Sequence, residues 1–439
     1  MLPWDPRAIE VLDRLRRAGH RAVLVGGCVR DSLLSAPLHD YDAATSARPE
    51  EVMAACAGLH VVETGLKHGT VTVFNDGLPV EVTTFRREGS YSDHRRPDRV
   101  DFTPDLAQDL ARRDFTINAM AWEAEGIVDL FGGQADLEMG LIRCVGDPDR
   151  RFGEDALRIL RGLRLAAQLN FSIHPDTAAA IRRHTPELAH VAWERIAAEF
   201  VRLLCSPGAG QVLLDFPQVV TQILPELAPA VGFDQRNPHH CYDVYTHSVQ
   251  AMEGVPPEPV LRLSALLHDV GKPAAFSLDE EGVGHFYGHP KVSAALTDRA
   301  LTRLRLDRAT REEVVALVAR HDLPVEVSEA WAGRWLSRLG EETFFRLLAL
   351  KRGDALACVP REEGVEHLVR VDELARELLS RQPCLALKDL AVNGRDALAA
   401  GLAGPAVGHA LKKLLAQVAE GSLPNERAIL LRELEGRGE

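Results

Sequence analysis

The chain has 439 residues, 46% of them apolar but only 5% aromatic, so it has room for roughly two to four domains whose cores rest on Leu, Ala and Val. A net charge of −13 excludes a protein coated all over in nucleic acid, and no run of about 18 apolar residues is present to span a membrane. The start, Met-Leu-Pro-Trp-Asp, lacks the basic opening and apolar stretch of a secretory leader. The cysteines at 28, 56, 144, 205, 241, 358 and 384 form no CxxC pair, as expected of reduced core residues in a cytoplasmic protein.

Residues 1–140 mix helix and strand signals. "RAVLVGG" (21–27) reads as a buried strand running into Gly26-Gly27, where backbone N–H groups can approach a phosphate closely. A helix carrying Arg30 and Asp31 follows. In "HDYDAAT" (39–45) Asp40 and Asp42 are spaced i, i+2, which on a strand puts both on one face. "TVTVFN" (70–75) and "VEVTTF" (80–85) are β-branched strands separated by the turn "DGLP" (76–79). In the second of these, Glu81 alternates with valines that face the other way. From about 141 onward the periodicity is helical almost throughout. Breaks fall at "GFDQRNPHH" (232–240) and "CVPREEG" (358–364). The expected organisation is α+β: a head (1–140) with a small mixed sheet and helices, then helical segments over 141–238, 239–358 and 359–439.

Two neighbouring carboxylates repel unless a cation sits between them, and oxygen ligands of this kind suit Mg²⁺. A pair of such ions about 4 Å apart can clamp the attacking and leaving oxygens of a phosphoryl transfer. Taken alone, the Asp-x-Asp spacing equally suits a solvated strand end. Arginines cluster at 86–87, 95–96, 112–113, 150–151 and at Arg158, Arg161 and Arg164, and local arginine density can hold phosphate under a negative total charge.

The ordered set "LVGGCVRDSLL…HDYDAAT", "ETGLKHGTVTVF", "VEVTTFR", "RRDFTINAMA" (112–121), "GEDALRILRGLR" (153–164) and "WERIAAEF" (193–200) resembles the polymerase-β-like nucleotidyltransferases. More narrowly, it resembles the class II tRNA nucleotidyltransferases and their relatives, the bacterial poly(A) polymerases. The tail "LAVNGRDALAAG…GPAVGHALKKLLAQVAEG…PNER" also fits, so the resemblance covers nearly the whole chain. It implies that Asp40 and Asp42 carry Mg²⁺, with Glu81 as third catalytic carboxylate. It further implies that Gly26, Gly27, Arg113, Asp114, Asn118, Arg161 and Arg164 lie along the nucleotide. Arg30 has a supporting place there, or is one half of an internal pair with Asp31. The implied partners are CTP, ATP and the acceptor end of tRNA, with no membrane and the oligomeric state left open. The poly(A) relatives carry a "GRRF"-type block where this chain has "ETGLKHGTVTVF", which favours the tRNA enzyme. CC-only enzymes lack a flexible loop where this chain has "REGSYSDHRRPDRV" (87–100). Full CCA addition and addition of the terminal A both stay open.

Asp155 and Arg158, spaced i, i+3, are expected on one helix face. A carboxylate accepts and a guanidinium donates, which matches the amino group and adjacent ring acceptor of cytosine and of adenine. Uracil and guanine present the reverse pattern.

In the second half, His247, His268-Asp269, His289, His321 and Asp354 stand in or beside predicted helices. Imidazole with carboxylate suits Ni²⁺, Mn²⁺, Co²⁺ or Zn²⁺. The order H…HD…H…H…D resembles the HD superfamily of metal-dependent phosphohydrolases, some of which are fused to tRNA nucleotidyltransferases with phosphatase and 2′,3′-cyclic phosphodiesterase activity. That resemblance makes His247, His268, Asp269 and Asp354 the core ligands, and His289 and His321 accessory groups. A degenerate domain that only packs against RNA is the alternative, as is an RNA-repair phosphohydrolase whose head merely binds. In "GLAGPAVGHALKKLL" (401–415), Gly404, Gly408, Lys412 and Lys413 resemble a helix-hairpin-helix clamp on RNA phosphates, or a plain turn before an amphipathic helix.

Overall fold

The computed structural model describes residues 4–38, 40–88, 100–238, 240–359, 361–381 and 383–436. The loop expected at 87–100 falls mainly on 89–99, outside the described residues. The chain divides into two compact units, Met1–Ile223 and Leu224–Glu439.

The first unit opens with helix α1 (Pro6–Arg17), started by the Asp5 side chain accepting from the Arg7 N–H, with proline at its first position. Its buried face, Ala8, Val11, Leu12 and Leu15, follows the helical i, i+3, i+4, i+7 spacing. Each of the larger of these side chains contributes roughly 1.5–3 kcal/mol by leaving water. Strand β1 (Ala22–Val25) is buried along its length because the sheet continues on both sides of it. Helix α2 (Gly27–Leu33), β2 (Tyr41–Thr45), α3 (Pro49–Ala55), β3 (His60–Gly65), β4 (Thr70–Asn75) and β5 (Leu78–Thr84) follow. A short pair comes next, β6 (Arg86–Glu88) with β7 (Val100–Phe102), then α4 (Leu106–Ala111), β8 (Met120–Glu123), β9 (Gly126–Asp129) and α5 (Gly133–Glu138). The main sheet runs β3-β4-β5-β2-β1-β8-β9. Its one parallel pairing is β2 with β5; the others are antiparallel.

The β4–β5 connection is tighter than expected. Leu78 and Pro79 are already in the strand, and the turn is Asp76-Gly77, both with positive φ (44° and 79°), as a two-residue hairpin requires. The helical reading beyond 141 also needs amendment. Strand β10 (Leu141–Ile142) pairs in parallel with β11 (Ser172–Ile173), and the second unit holds a small hairpin, β12 (Ser277–Leu278) with β13 (Gly284–His285).

Between β10 and β11 lie α6 (Pro148–Glu154) and α7 (Leu157–Leu169). The helix expected over 153–164 is broken at Asp155, which is extended at φ −148°, ψ 105°. Its carboxylate accepts from the Leu157 N–H at 3.0 Å, so it caps α7 rather than continuing α6. Asp155 and Arg158 therefore do not share one helix face. The unit closes with α8 (Pro175–His184), α9 (Trp193–Leu204), α10 (Ala209–Asp215) and α11 (Pro217–Ile223).

The second unit packs α12 (Val244–Glu253), α13 (Pro259–Leu267), α14 (His289–Arg303), α15 (Arg308–Val318), α16 (Glu329–Leu339), α17 (Glu341–Leu356) and α18 (Arg361–Ser380). A core of Trp331, Phe344, Leu348 and Val371 joins α16, α17 and α18. Helices α19 (Gly394–Ala399), α20 (Pro405–Ala419) and α21 (Arg427–Glu435) close over Ala397, Leu411, Leu414 and Leu430. Among the described residues no helix is long and apolar enough to cross a membrane.

Helix α7 is seated by a glycine: a Cβ on Gly162 would lie 2.7 Å from the Phe115 ring, which is fully buried. Gly162→Ala should therefore lower unfolding stability by about 1–3 kcal/mol through overpacking, read by urea titration. An unchanged midpoint would show that Phe115 can move aside.

Candidate active site

In the head, Asp42 lies on β2 directly opposite Glu81 on β5, in parallel register, with Asp40 just before the strand. Side chains alternate faces along a strand, and Val80 and Val82 point into the core while Glu81 is exposed. The sheet therefore presents three carboxylates within a few residues of pairing. Burial raises the Asp42 carboxyl to about 6, Glu81 adds repulsion, Arg113 opposes it and Asp40 adds a little more. An oxygen-only donor set that repels itself is one a hard divalent cation would relieve, so the residues fit Mg²⁺.

Gly26 stands over this group. Its φ of 75° and ψ of −134° suit glycine alone, and a Cβ there would lie 3.1 Å from Arg113 Nη1 and 3.6 Å from Asp42 Oδ2. Its own N–H donates to the Met120 carbonyl at 3.4 Å, so what Gly26 contributes is room beside Arg113 and Asp42 rather than a free donor. Gly27 begins α2, near the Arg30 guanidinium. Arg30 donates to Asp31 and to Asn118 Oδ1, each at 2.8 Å, so the internal pair with Asp31 is present and Arg30 also orients Asn118. Arg113 donates to the Asn118 carbonyl and to Asp109, both at 3.4 Å, while its buried Nε has no partner among the described residues. Asp109, absent from the sequence reading, is fully buried. Burial favours its neutral form, but Arg112 and then Arg113 hold it ionised. Its signal was there: an Asp three and four residues before an Arg pair that closes a short helix.

Along α7 each named arginine has a carboxylate. Arg161 Nε donates to Asp114 at 2.8 Å and Arg164 Nε to Glu199 at 2.6 Å. Arg158 Nη1 pairs with Glu154 and also donates to the Arg151 carbonyl at 3.0 Å. Asp155 accepts from Arg195 at 2.9 Å. Burial would raise the Asp114 carboxyl, yet Arg161 brings it down to about 2. Arg195, 40 positions from Asp155, was not legible from sequence as its partner, whereas Glu154 stood i, i+4 to Arg158, the ordinary spacing of a helix pair.

In the second unit, His247 comes from α12, His268 and Asp269 end α13, His289 begins α14, His321 follows α15 and Asp354 lies on α17. Their side chains converge. His268 Nδ1 lies 2.7 Å from the Ala265 carbonyl, His321 Nδ1 2.7 Å from that of Val318, and His289 Nδ1 2.8 Å from that of Phe286. A carbonyl can only accept, so each Nδ1 carries a proton and each Nε2 is turned inward; Asp269 and Asp354 beside His268 outweigh burial and raise it to about 10, so a metal would take the place of its Nε2 proton. The Nε2 atoms of His289 and His321 stand 3.0 Å apart. His247 Nε2 is 3.0 Å from Asp354 Oδ1, and His268 Nε2 is 3.1 Å from Asp269 Oδ2. His247 is fully buried, and its Nδ1 has no hydrogen-bond partner among the described residues. Imidazole nitrogens converging with two carboxylates fit a transition metal. Sequence reasoning passed over Lys272, whose Nζ is 2.6 Å from Asp269 Oδ2, along with His240 and Cys358 beside it. Lys272 was detectable as the i+3 neighbour of Asp269. A cavity of about 400 Å³ opens on the cluster.

In the tail, Gly404 caps α20 at φ 57°, Gly408 lies in its first turns, and Lys412 and Lys413 are exposed.

This sheet and its helical continuation define a protein of the class built on a nucleotidyltransferase head. The family described as "Poly A polymerase head domain" matches residues 22–143. "Probable RNA and SrmB-binding site of polymerase A" matches 170–231, and "tRNA nucleotidyltransferase domain 2 putative" matches 288–434. A CCA-adding enzyme of Levilactobacillus brevis is 36% identical over 96% of this chain and 95% of its own, and one of Lacticaseibacillus paracasei is 34% identical over 97% and 94%. The crystal structure of Bacillus stearothermophilus CCA-adding enzyme in complex with CTP superposes with a TM-score of 0.76 at 31% identity, covering 100% of this chain and 98% of that one. The chain belongs to the CCA-adding enzyme family.

The raised Asp42 carboxyl has a consequence of definite sign. It holds its proton more tightly folded, near pH 6, than unfolded, near about pH 4. Metal-free stability therefore falls as pH rises through that window, and the full cost is present at neutral pH. Asp42→Asn should stabilise the chelator-treated protein at pH 7 by up to about 2 kcal/mol and not at pH 4, while abolishing nucleotide transfer. Equal melting temperatures at pH 7 would refute the repulsion.

Proposed function

We propose that the chain adds CCA to the 3′ end of tRNA from CTP and ATP. The observation that carries this is the Asp42–Glu81 register, with Asp40 beside it and the Gly26 gap opening on Arg113. The names of the relatives agree with it. Asp40, Asp42 and Glu81 would hold Mg²⁺, which when bound neutralises phosphate charge and favours the alkoxide of the attacking hydroxyl. The RNA 3′-hydroxyl gives up its proton to solvent, its oxygen bonds to the α-phosphorus, the α–β bridging bond breaks, and pyrophosphate leaves with the electron pair. Arg113, anchored on Asp109, stands where charge builds on the phosphates. Asn118, oriented by Arg30, lies beside it.

Asp155 and Arg158 select the base, the first as acceptor and the second as donor. They do so from a helix break and the first turn of the helix that follows it, where Arg195 and Glu154 fix their directions. Each mismatched pair of polar groups costs roughly 2 kcal/mol. Helix α20 offers Gly404, Gly408, Lys412 and Lys413 to the tRNA backbone.

A second chemistry belongs to the histidine cluster, within a phosphohydrolase segment spanning 239–358. His247, His268, Asp269 and Asp354 would hold a divalent transition metal, which when bound makes a water nucleophilic at neutral pH. Water oxygen bonds to the phosphorus of a phosphate monoester or 2′,3′-cyclic phosphate. The bond to the ribose oxygen breaks, and that oxygen is protonated. The three backbone-anchored imidazoles are what supports this reading.

Three measurements test these assignments. Offered tRNAs ending before CCA, after C and after CC, the protein should extend each to CCA with CTP and ATP alone; extension of only the last would make it an A-adding enzyme. Arg158→Ala should slow addition and raise misincorporation of U or G by about thirtyfold; unchanged selectivity at a reduced rate would make the side chain structural. His268→Ala combined with Asp269→Ala should lose bound transition metal by elemental analysis, and with it phosphohydrolysis, while nucleotide addition persists. A folded double variant that keeps its metal would remove the cluster from the reaction.

A further inference from the structure

The cavity over the histidine cluster has one wall that the proposed hydrolysis does not use. Tyr287 lines it and is 79% exposed, an unusual position for so large an apolar ring. It is not a stray side chain. The His285 ring stacks parallel to it, with an interplanar angle of 7° and centroids 5.3 Å apart. His285 Nε2 is itself held by Asp279 at 2.7 Å, and Asp279 is fixed in the β12–β13 turn by the N–H groups of Glu281 and Val283. The hairpin thus presents a braced aromatic surface to solvent.

Its placement matters. Tyr287 precedes His289 by two residues, with Gly288 in a left-handed turn at φ 75° between them. Tyr287, His289 and His321 line the same cavity, so the ring and these imidazoles border one space. Flat aromatic surfaces near a phosphate site bind bases of any sequence by stacking. The adjoining wall is polar, with Lys272, His289 and His321, and gives a small aliphatic ester nothing to stack on.

We propose that Tyr287, braced by His285, is a base-stacking platform that makes the histidine-cluster site select nucleoside phosphates, free or at an RNA 3′ end, over other phosphate esters. This rests on the phosphohydrolase reading of the same cluster.

The test compares the full-length protein with Tyr287→Ala and Tyr287→Phe, each loaded with the same transition metal and checked by circular dichroism. Substrates are adenosine 2′,3′-cyclic phosphate, an oligoribonucleotide ending in a 2′,3′-cyclic phosphate, and glycerol 2-phosphate. Tyr287→Ala should lower kcat/KM for the cyclic nucleotide about tenfold through KM, Tyr287→Phe should restore it, and glycerol 2-phosphate should be indifferent to both. An equal loss on all substrates, or no loss on any, overturns the platform. If only the oligonucleotide responds, the base that stacks belongs to an RNA end; if the mononucleotide responds equally, a free nucleotide suffices. A parent protein that hydrolyses none of the three refutes the phosphohydrolase reading instead. The platform is then judged by photocrosslinking with 8-azidoadenosine 2′,3′-cyclic phosphate: label on the peptide holding Tyr287 upholds it, and label confined to the head overturns it.

Discussion

The parallel pairing of β2 with β5 sets two carboxylates against each other, and the head is organised around that contact. Register places Asp42 across from Glu81, and because the valines flanking Glu81 are locked in the core, a one-residue slip would bury the glutamate and expose the valines. The hydrophobic pattern therefore enforces an electrostatic conflict. Burial and Glu81 raise the Asp42 carboxyl to about 6 despite Arg113. Local choices that oppose stability are expected where a site is built for a ligand, and an oxygen-only carboxylate group of this kind fits a cation.

Around this centre the protein handles positive charge economically for a chain of net −13. Arg30, Arg113, Arg158, Arg161 and Arg164 each rest on a carboxylate: Asp31, Asp109, Glu154, Asp114 and Glu199. These pairs are mostly buried on at least one side, so they hold direction better than surface pairs would. Asp114, brought down to about 2 chiefly by Arg161 against the opposing effect of burial, is the clearest case. Pairing of this kind fixes the direction of each guanidinium and gathers arginines locally without a uniformly basic surface.

The second unit solves the opposite problem. Three imidazoles commit their Nδ1 protons to backbone carbonyls, so backbone geometry fixes which nitrogen each ring turns inward. Helix ends leave carbonyls unpaired, and placing His268 and His321 at the ends of α13 and α15 satisfies those carbonyls and orients the rings in one stroke.

The sequence alone determined the strand running into Gly26-Gly27, the two β-branched strands of the hairpin, the alternation that exposes Glu81 between valines, the largely helical character of the remainder, and the family. These depend on periodicity of 2 or 3.6 and on ordered local motifs, which are properties of neighbouring residues. Tertiary structure decided what depends on residues far apart. It broke the expected helix at Asp155, because a capping carboxylate held by Arg195, 40 positions later, competes with helix continuation. It put Asp109 beneath Arg113, gave Gly26 a steric rather than a donor role, and brought Lys272, His240 and Cys358 to a cluster read from sequence as histidines and aspartates alone. It also left Tyr287 exposed beside His285, since the exposure of an aromatic ring is settled by what packs around it and not by its neighbours in the chain.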